Sequence, residues 1–146
     1  MDTRRSSRFW AAGLLACAGF TLTSLPSRAD APADAKPYVV KDGKVDMGTY
    51  KGYLYYGDEC MRCHGPDGLG SSYAPNLTNS LKTLSKETFE NTVVNGKQLV
   101  NQSSNLVMPA FGTNPDVVGN LDNIYAYLKA RSDGVLGRGH PGHLAQ

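Results

Sequence analysis

The chain has few of the side chains from which metal clusters and disulfide scaffolds are built: three cysteines and three histidines in 146 residues. No second Cys or His pair stands at zinc spacing, so a structural zinc site is excluded. Apolar and polar residues nowhere alternate over a useful strand length, which argues against a sandwich or barrel. No segment repeats, so a solenoid is excluded as well. Beyond residue 25 there is no long apolar run, and nothing later in the chain qualifies as a membrane span.

What is present begins with an export signal. Arg4, Arg5 and Arg8 precede an almost uncharged stretch from Phe9 to Leu25, Pro26 breaks it, and Ser27-Arg28-Ala29 supplies small residues for cleavage. That order reads as a secretory signal peptide over residues 1–29, cleaved near Ala29, with a periplasmic destination. A retained anchor is the competing reading, but a run of about 17 residues containing Gly, Ser and Thr sits at the lower limit for spanning a bilayer. Arg4-Arg5 matches a twin-arginine signal only loosely. Leu14-Leu15-Ala16-Cys17 resembles a lipidation box, but too few apolar residues precede Cys17, which reads more simply as a small hydrophobe in a discarded segment.

Cleavage changes the charge. The signal holds four of the 15 basic residues and one of the 13 acidic ones, which leaves 11 against 12 and a net charge of −1. A near-neutral, slightly acidic exported chain gives no footing for nucleic acid. It also leaves two cysteines, Cys60 and Cys63.

Residues 30–45, rich in Ala, Pro, Asp and Lys, read as an N-terminal linker. The domain expected over residues 46–132 is all-α with three main helices. The first runs over about Tyr50–Cys60 with Thr49 as its cap. The second starts after Ser85, turns Phe89, Val93 and Val94 inward, carries Glu87 in its first turn and ends at Gly96. The third starts at Pro115 with Asn114 as cap and runs to about Arg131, burying Val117, Val118, Leu121, Ile124, Tyr125 and Leu128. Lys129 and Arg131 fall in its last turn, where they suit the dipole. Between them lie two long loops, Gly65–Ser80 and Lys97–Asn114, and residues 133–146 form a Gly- and His-containing tail. Loops this long around so small a core point to a large apolar cofactor inside.

Cys60-Met61-Arg62-Cys63-His64 identifies that cofactor. C-x-x-C-H is the attachment sequence of c-type haem: two thiols three positions apart on one helical turn reach both vinyl groups of one porphyrin, and the next residue places its imidazole under the iron. Cys60 and Cys63 are assigned the thioethers and His64 the proximal ligand. A thioredoxin-like redox pair would need a βαβ setting, which is missing.

An electron carrier also needs a sixth ligand, and a thioether favours ferrous iron. Met1 lies in the signal, Met61 in the attachment turn and Met47 ahead of the first helix. Met108 remains, 44 residues after His64 and fixed by Pro109. Its alternatives are plain core packing, or His140 or His143 as the ligand from the tail. A ligating histidine usually donates its other N–H to a carbonyl. Pro75, eleven residues after His64, is the candidate acceptor; otherwise it stiffens a turn.

The pattern Gly52, Tyr56, Cys60, Cys63, His64, Gly65, followed by Ala74-Pro75-Asn76-Leu77, Met108-Pro109 and Tyr125-Ala126-Tyr127-Leu128-Lys129, resembles bacterial class I c-type cytochromes over about residues 46–131. The resemblance implies the class I cytochrome c fold, all-α and wrapped around one haem c. Its first and last helices would cross near Gly52 and Tyr56, with Leu121, Ile124 and Tyr125 opposite. It implies an electron-transfer protein, not an enzyme, and a monomer without stable membrane insertion once the signal is removed.

A narrower likeness rests on residues 63–70, 108–115 and 127–139. These are similar to cytochromes associated with periplasmic PQQ-dependent alcohol oxidation, including methanol oxidation. This implies a quinoprotein alcohol dehydrogenase as electron donor and a cytochrome or terminal oxidase as acceptor. A haem subunit held permanently in a dehydrogenase or oxidase complex, or a ligand-binding haem sensor or enzyme, would carry the same attachment motif.

Overall fold

The computed structural model describes residues 35–101 and 104–145. The expected signal peptide, its expected cleavage point and Cys17 lie outside these residues. Among the described residues no helix is long and apolar enough to cross a membrane.

Among the described residues, six α-helices and five short strands make up the fold. Strands β1 (Val40–Lys41) and β2 (Lys44–Val45) precede helix α1 (Met47–Glu59). A single turn, α2 (Met61–His64), follows, then a 3₁₀ turn (Pro66–Gly68), α3 (Leu77–Ser80) and α4 (Lys86–Asn95). A hairpin of β3 (Lys97–Asn101) and β4 (Ser104–Met108) leads to α5 (Pro115–Gly119) and α6 (Leu121–Ser132), and β5 (Gly142–His143) comes last.

Helix α1 starts three residues earlier than its sequence suggests. Its cap is Asp46, whose carboxylate accepts from the backbone N–H of Thr49 at 3.0 Å and from the Thr49 hydroxyl at 2.7 Å. Thr49 is therefore the residue being capped. An aspartate satisfies free N–H groups as well as threonine does and adds a charge suited to the positive helix end. Asp46 also accepts from Val39 N–H at 2.7 Å, joining β1 to the helix.

Helix α4 forms as the sequence predicts. Ser85 caps it through Thr88 N–H, Phe89 and Val93 are buried, Val94 is half-buried, and Gly96 ends it with φ 73°.

The third predicted helix is two helices. Asn114 caps α5 through Asp116 and Val117 N–H, but the chain breaks at Asn120, whose backbone leaves helical geometry at φ −122° and ψ 15°. The Asn120 side chain turns back to donate to the Asp116 carbonyl at 2.9 Å. The break rotates the face: Val117 and Ile124 are buried, whereas Val118 is 46% exposed and does not join the core.

The core centres on α1 against α6, with Tyr56, Ile124, Tyr127 and Leu128 almost wholly excluded from water. Each such aliphatic side chain contributes roughly 1.5–3 kcal/mol by burial. Two further features depart from the sequence reading. Residues 97–101 and 104–108, expected as loop, pair as antiparallel strands in register from Lys97↔Met108 to Asn101↔Ser104. The segments read as linker and tail meet each other: β2 pairs parallel with β5, Val45 is fully buried, and Leu144 N–H donates to the Val45 carbonyl at 2.8 Å.

Candidate functional site

The attachment sequence closes the end of α1. The N–H groups of Cys63 and His64 both reach back to the Cys60 carbonyl, at 3.2 and 3.0 Å, so Cys60 to His64 form one tight helical turn. Cys60 and Cys63 are free, not bridged to each other. Cys63 is exposed, while Cys60 turns inward. Burial, followed by the neighbouring Glu59 and Cys63, pushes the Cys60 thiol up to about 12. Among the described residues no three His, Cys, Asp or Glu side chains gather in one place.

Cys60, His64 and Met108 line one cavity. Its other walls are Leu77, Leu84, Phe89, Thr92, Val93, Ile124 and Leu128, contributed by three helices, α3, α4 and α6, and the short loop after α3. The wall is apolar apart from Thr92 and the sulfur and imidazole groups. His64 is buried, and its Nδ1 stands 3.0 Å from the Pro75 carbonyl oxygen. A carbonyl only accepts, so Nδ1 carries the proton and Nε2 keeps its lone pair for a ligand bond. Pro75 itself lacks an N–H, and its carbonyl is presented by the turn that leads into α3.

Met108 ends β4 and is partly buried against the core. Helix α4 holds its segment. Phe111 and Gly112 N–H donate to the Val93 and Val94 carbonyls, both at 3.0 Å, and use acceptors that the end of a helix leaves free. Gly96 allows this approach: a Cβ there would lie 2.7 Å from the Met108 carbonyl oxygen. His140 and His143 sit elsewhere, packed edge-on against the Tyr50 ring with centroids 5.8 and 5.2 Å away.

The donor set suits haem c. Two thiols sit on one turn, one of them in an apolar cavity, beside an imidazole with a free nitrogen; a thioether occupies the same cavity. Bound haem would supply a one-electron Fe(III)/Fe(II) couple, held by Cys60, Cys63 and His64. The loop after His64 contains a feature with no sequence signal beyond an Asp-Gly turn. Asp67 is buried at φ 61° and receives hydrogen bonds from the far end of the chain. Tyr56, whose hydroxyl donates to the Gly65 carbonyl, ties the same loop to α1.

Comparison with known proteins agrees with this geometry. Residues 48–128 match the family described as cytochrome C oxidase, cbb3-type, subunit III. Cytochrome c-553I of Paracoccus denitrificans is 52% identical over 103 residues, 70% of this chain and 46% of that protein, so the chain spans about half of that relative. Cytochrome c-555 of Methylococcus capsulatus is 42% identical over 96 residues, 65% of this chain and 72% of its own. The crystal structure of the c-type cytochrome XoxG from Methylobacterium extorquens AM1 superposes with a TM-score of 0.65 at 39% identity, over 80% of this chain and 77% of that one. The chain thus belongs to the class I c-type cytochromes, a family with covalently attached haem c.

Proposed function

We propose that this cytochrome is a periplasmic carrier that accepts single electrons from a PQQ-dependent alcohol dehydrogenase and passes them to a cytochrome or terminal oxidase. The observation that carries the carrier reading is the shared cavity of Cys60, His64 and Met108. Cys60 and Cys63 hold the porphyrin by thioethers. His64 keeps its proton on Nδ1 through Pro75 and offers Nε2 to the iron. Met108, in the same cavity, would offer a thioether to the iron, and such a ligand favours the reduced state. Leu77, Leu84, Phe89 and Val93 exclude water, which would otherwise compete for the iron.

The donor rests on the likeness of residues 63–70, 108–115 and 127–139 to cytochromes of alcohol oxidation. Stopped-flow mixing of the oxidised protein with a purified, alcohol-reduced quinoprotein dehydrogenase tests it. Reduction that is fast and saturable supports the assignment; no reduction beyond the rate with an unrelated dehydrogenase contradicts it.

The match to a family named for an oxidase subunit favours one second reading, a haem subunit held in a larger complex. Co-elution of the native protein with a large partner at high salt would select that reading, and monomeric elution the free carrier.

A further inference from the structure

The end of the chain returns to the loop behind His64. Asp67 lies in the turn three residues after the histidine, with its side chain 9% exposed. One carboxylate oxygen accepts from Gly139 N–H at 2.9 Å. The other accepts from Arg138 Nε at 3.2 Å and lies 3.9 Å from the Arg131 guanidinium. Arg131, buried at the end of α6, donates to the Asp67 carbonyl at 3.4 Å and to the Leu136 carbonyl at 2.8 Å. One buried anion and two guanidinium groups therefore join α6, the tail and the proximal turn. Buried charges remain ionised only when paired and hydrogen-bonded in this way.

The turn that Asp67 occupies has no slack. Gly70 N–H donates to the His64 carbonyl at 2.7 Å. A Cβ on Gly65 would lie 2.4 Å from the Gly70 carbonyl oxygen, and one on Gly70 would lie 2.7 Å from the Asn76 nitrogen. Residues 65–70 are thus wedged between His64 and Pro75-Asn76, the two sides of the His64–Pro75 hydrogen bond.

We propose that Asp67 is a positioning residue: by gripping Arg138 and Gly139 of the tail, it fixes the turn that sets the His64–Pro75 hydrogen bond and hence the reduction potential. This rests on His64 being the iron ligand. An imidazole that donates strongly from Nδ1 is a better electron donor at Nε2 and stabilises ferric iron. Loosening the grip weakens that donation and raises the potential.

The test uses the haem-loaded protein and two variants. Asp67→Asn keeps the shape and removes the charge. Gly139→Val keeps every charge but strains a backbone held at φ 88°. Midpoint potential, the His64 Nδ1–H proton resonance of the reduced protein, and the denaturation midpoint are measured for each. Both variants are expected to raise the potential, up to about 59 mV for a tenfold change in the redox equilibrium, and to shift the Nδ1–H resonance. Lower stability with potential and resonance at wild-type values overturns the proposal. So does a rise in Asp67→Asn alone, which would assign the effect to charge. Should Asp67→Asn not mature, Gly139→Val decides by the same two readouts. A wild-type protein without His64 ligation would overturn the parent reading, and this one with it.

Discussion

Gly52 in α1 lies directly against the backbone carbonyl of Asn123 in α6: a Cβ at Gly52 would stand 1.8 Å from that oxygen. The first and last long helices meet there backbone to backbone, and Tyr56, one turn on, packs its ring 5.5 Å from that of Tyr127. The obstacle is main chain, so no rotamer change relieves it. Gly52→Ala is expected to force the helices apart and cost about 3 kcal/mol, the upper end for overpacking. Chemical denaturation of the haem-loaded protein measures this; a loss below about 0.5 kcal/mol would show that the crossing yields.

Gly96 has the corresponding role for Met108. Gly96→Ala adds a Cβ 2.7 Å from the Met108 carbonyl oxygen at a residue held at φ 73°. With ψ at 178° this is backbone that is essentially glycine's alone, and it costs an alanine about 1–3 kcal/mol before any clash. The Met108 segment is expected to move outward, so external imidazole should bind the ferric protein at least about tenfold more tightly, equivalent to about 1.4 kcal/mol. Unchanged binding would mean that the segment accommodates the methyl group.

Tyr127 presents the opposite case. Its hydroxyl is buried without a hydrogen-bond partner among the described residues, and burial pushes its pKa up to about 12. An unpaired buried hydroxyl costs about 1–3 kcal/mol. Tyr127→Phe is expected to keep the ring contacts with Tyr53 and Tyr56 and to raise the denaturation midpoint. A marked fall would reveal a partner for the hydroxyl.

Acid should loosen the end of α6. Burial pushes the Asp133 carboxyl up, but hydrogen bonds from Lys129, Lys36 and Tyr38 outweigh it and hold the group well below its ordinary value. The folded state therefore binds its proton less readily than the unfolded chain. The stabilisation is fully present above the unfolded value, about 3.9, and is lost as pH falls below it. Asp67 is lowered in the same sense by Gly139, Arg138 and Arg131 against its own burial. Asp133→Asn is expected to reduce stability at neutral pH, with the gap to wild type shrinking below about pH 4. A gap independent of pH would contradict this.

Local signals carried much of the fold. Ser85 and Asn114 cap where their sequence says they should, because a cap needs only its own side chain and the next few N–H groups. Cys60, His64 and Met108 stand out by their chemistry, and the cavity that they share depends on tertiary packing that no local pattern specifies. The helix start moved from Thr49 to Asp46 because both residues cap well and only tertiary contact with Val39 separates them. Asn120 was readable in principle, since Gly119-Asn120 interrupts an apolar stripe. The hairpin at 97–108 carries no tight-turn dipeptide, and the pairing of β2 with β5 joins residues nearly a hundred positions apart. No local pattern specifies such contacts. Asp67 belongs to the same class: its partners Arg138 and Gly139 lie more than seventy residues away.

The proposed pairing of His64 and Met108 as iron ligands is tested most directly by the ferric absorption spectrum of wild type beside Met108→Ala. Wild type should show the far-red sulfur-to-iron charge-transfer band, and the variant should lose it, turn high-spin and drop in potential while keeping its covalent haem. A band that survives the substitution, or one that wild type never shows, would contradict the assignment.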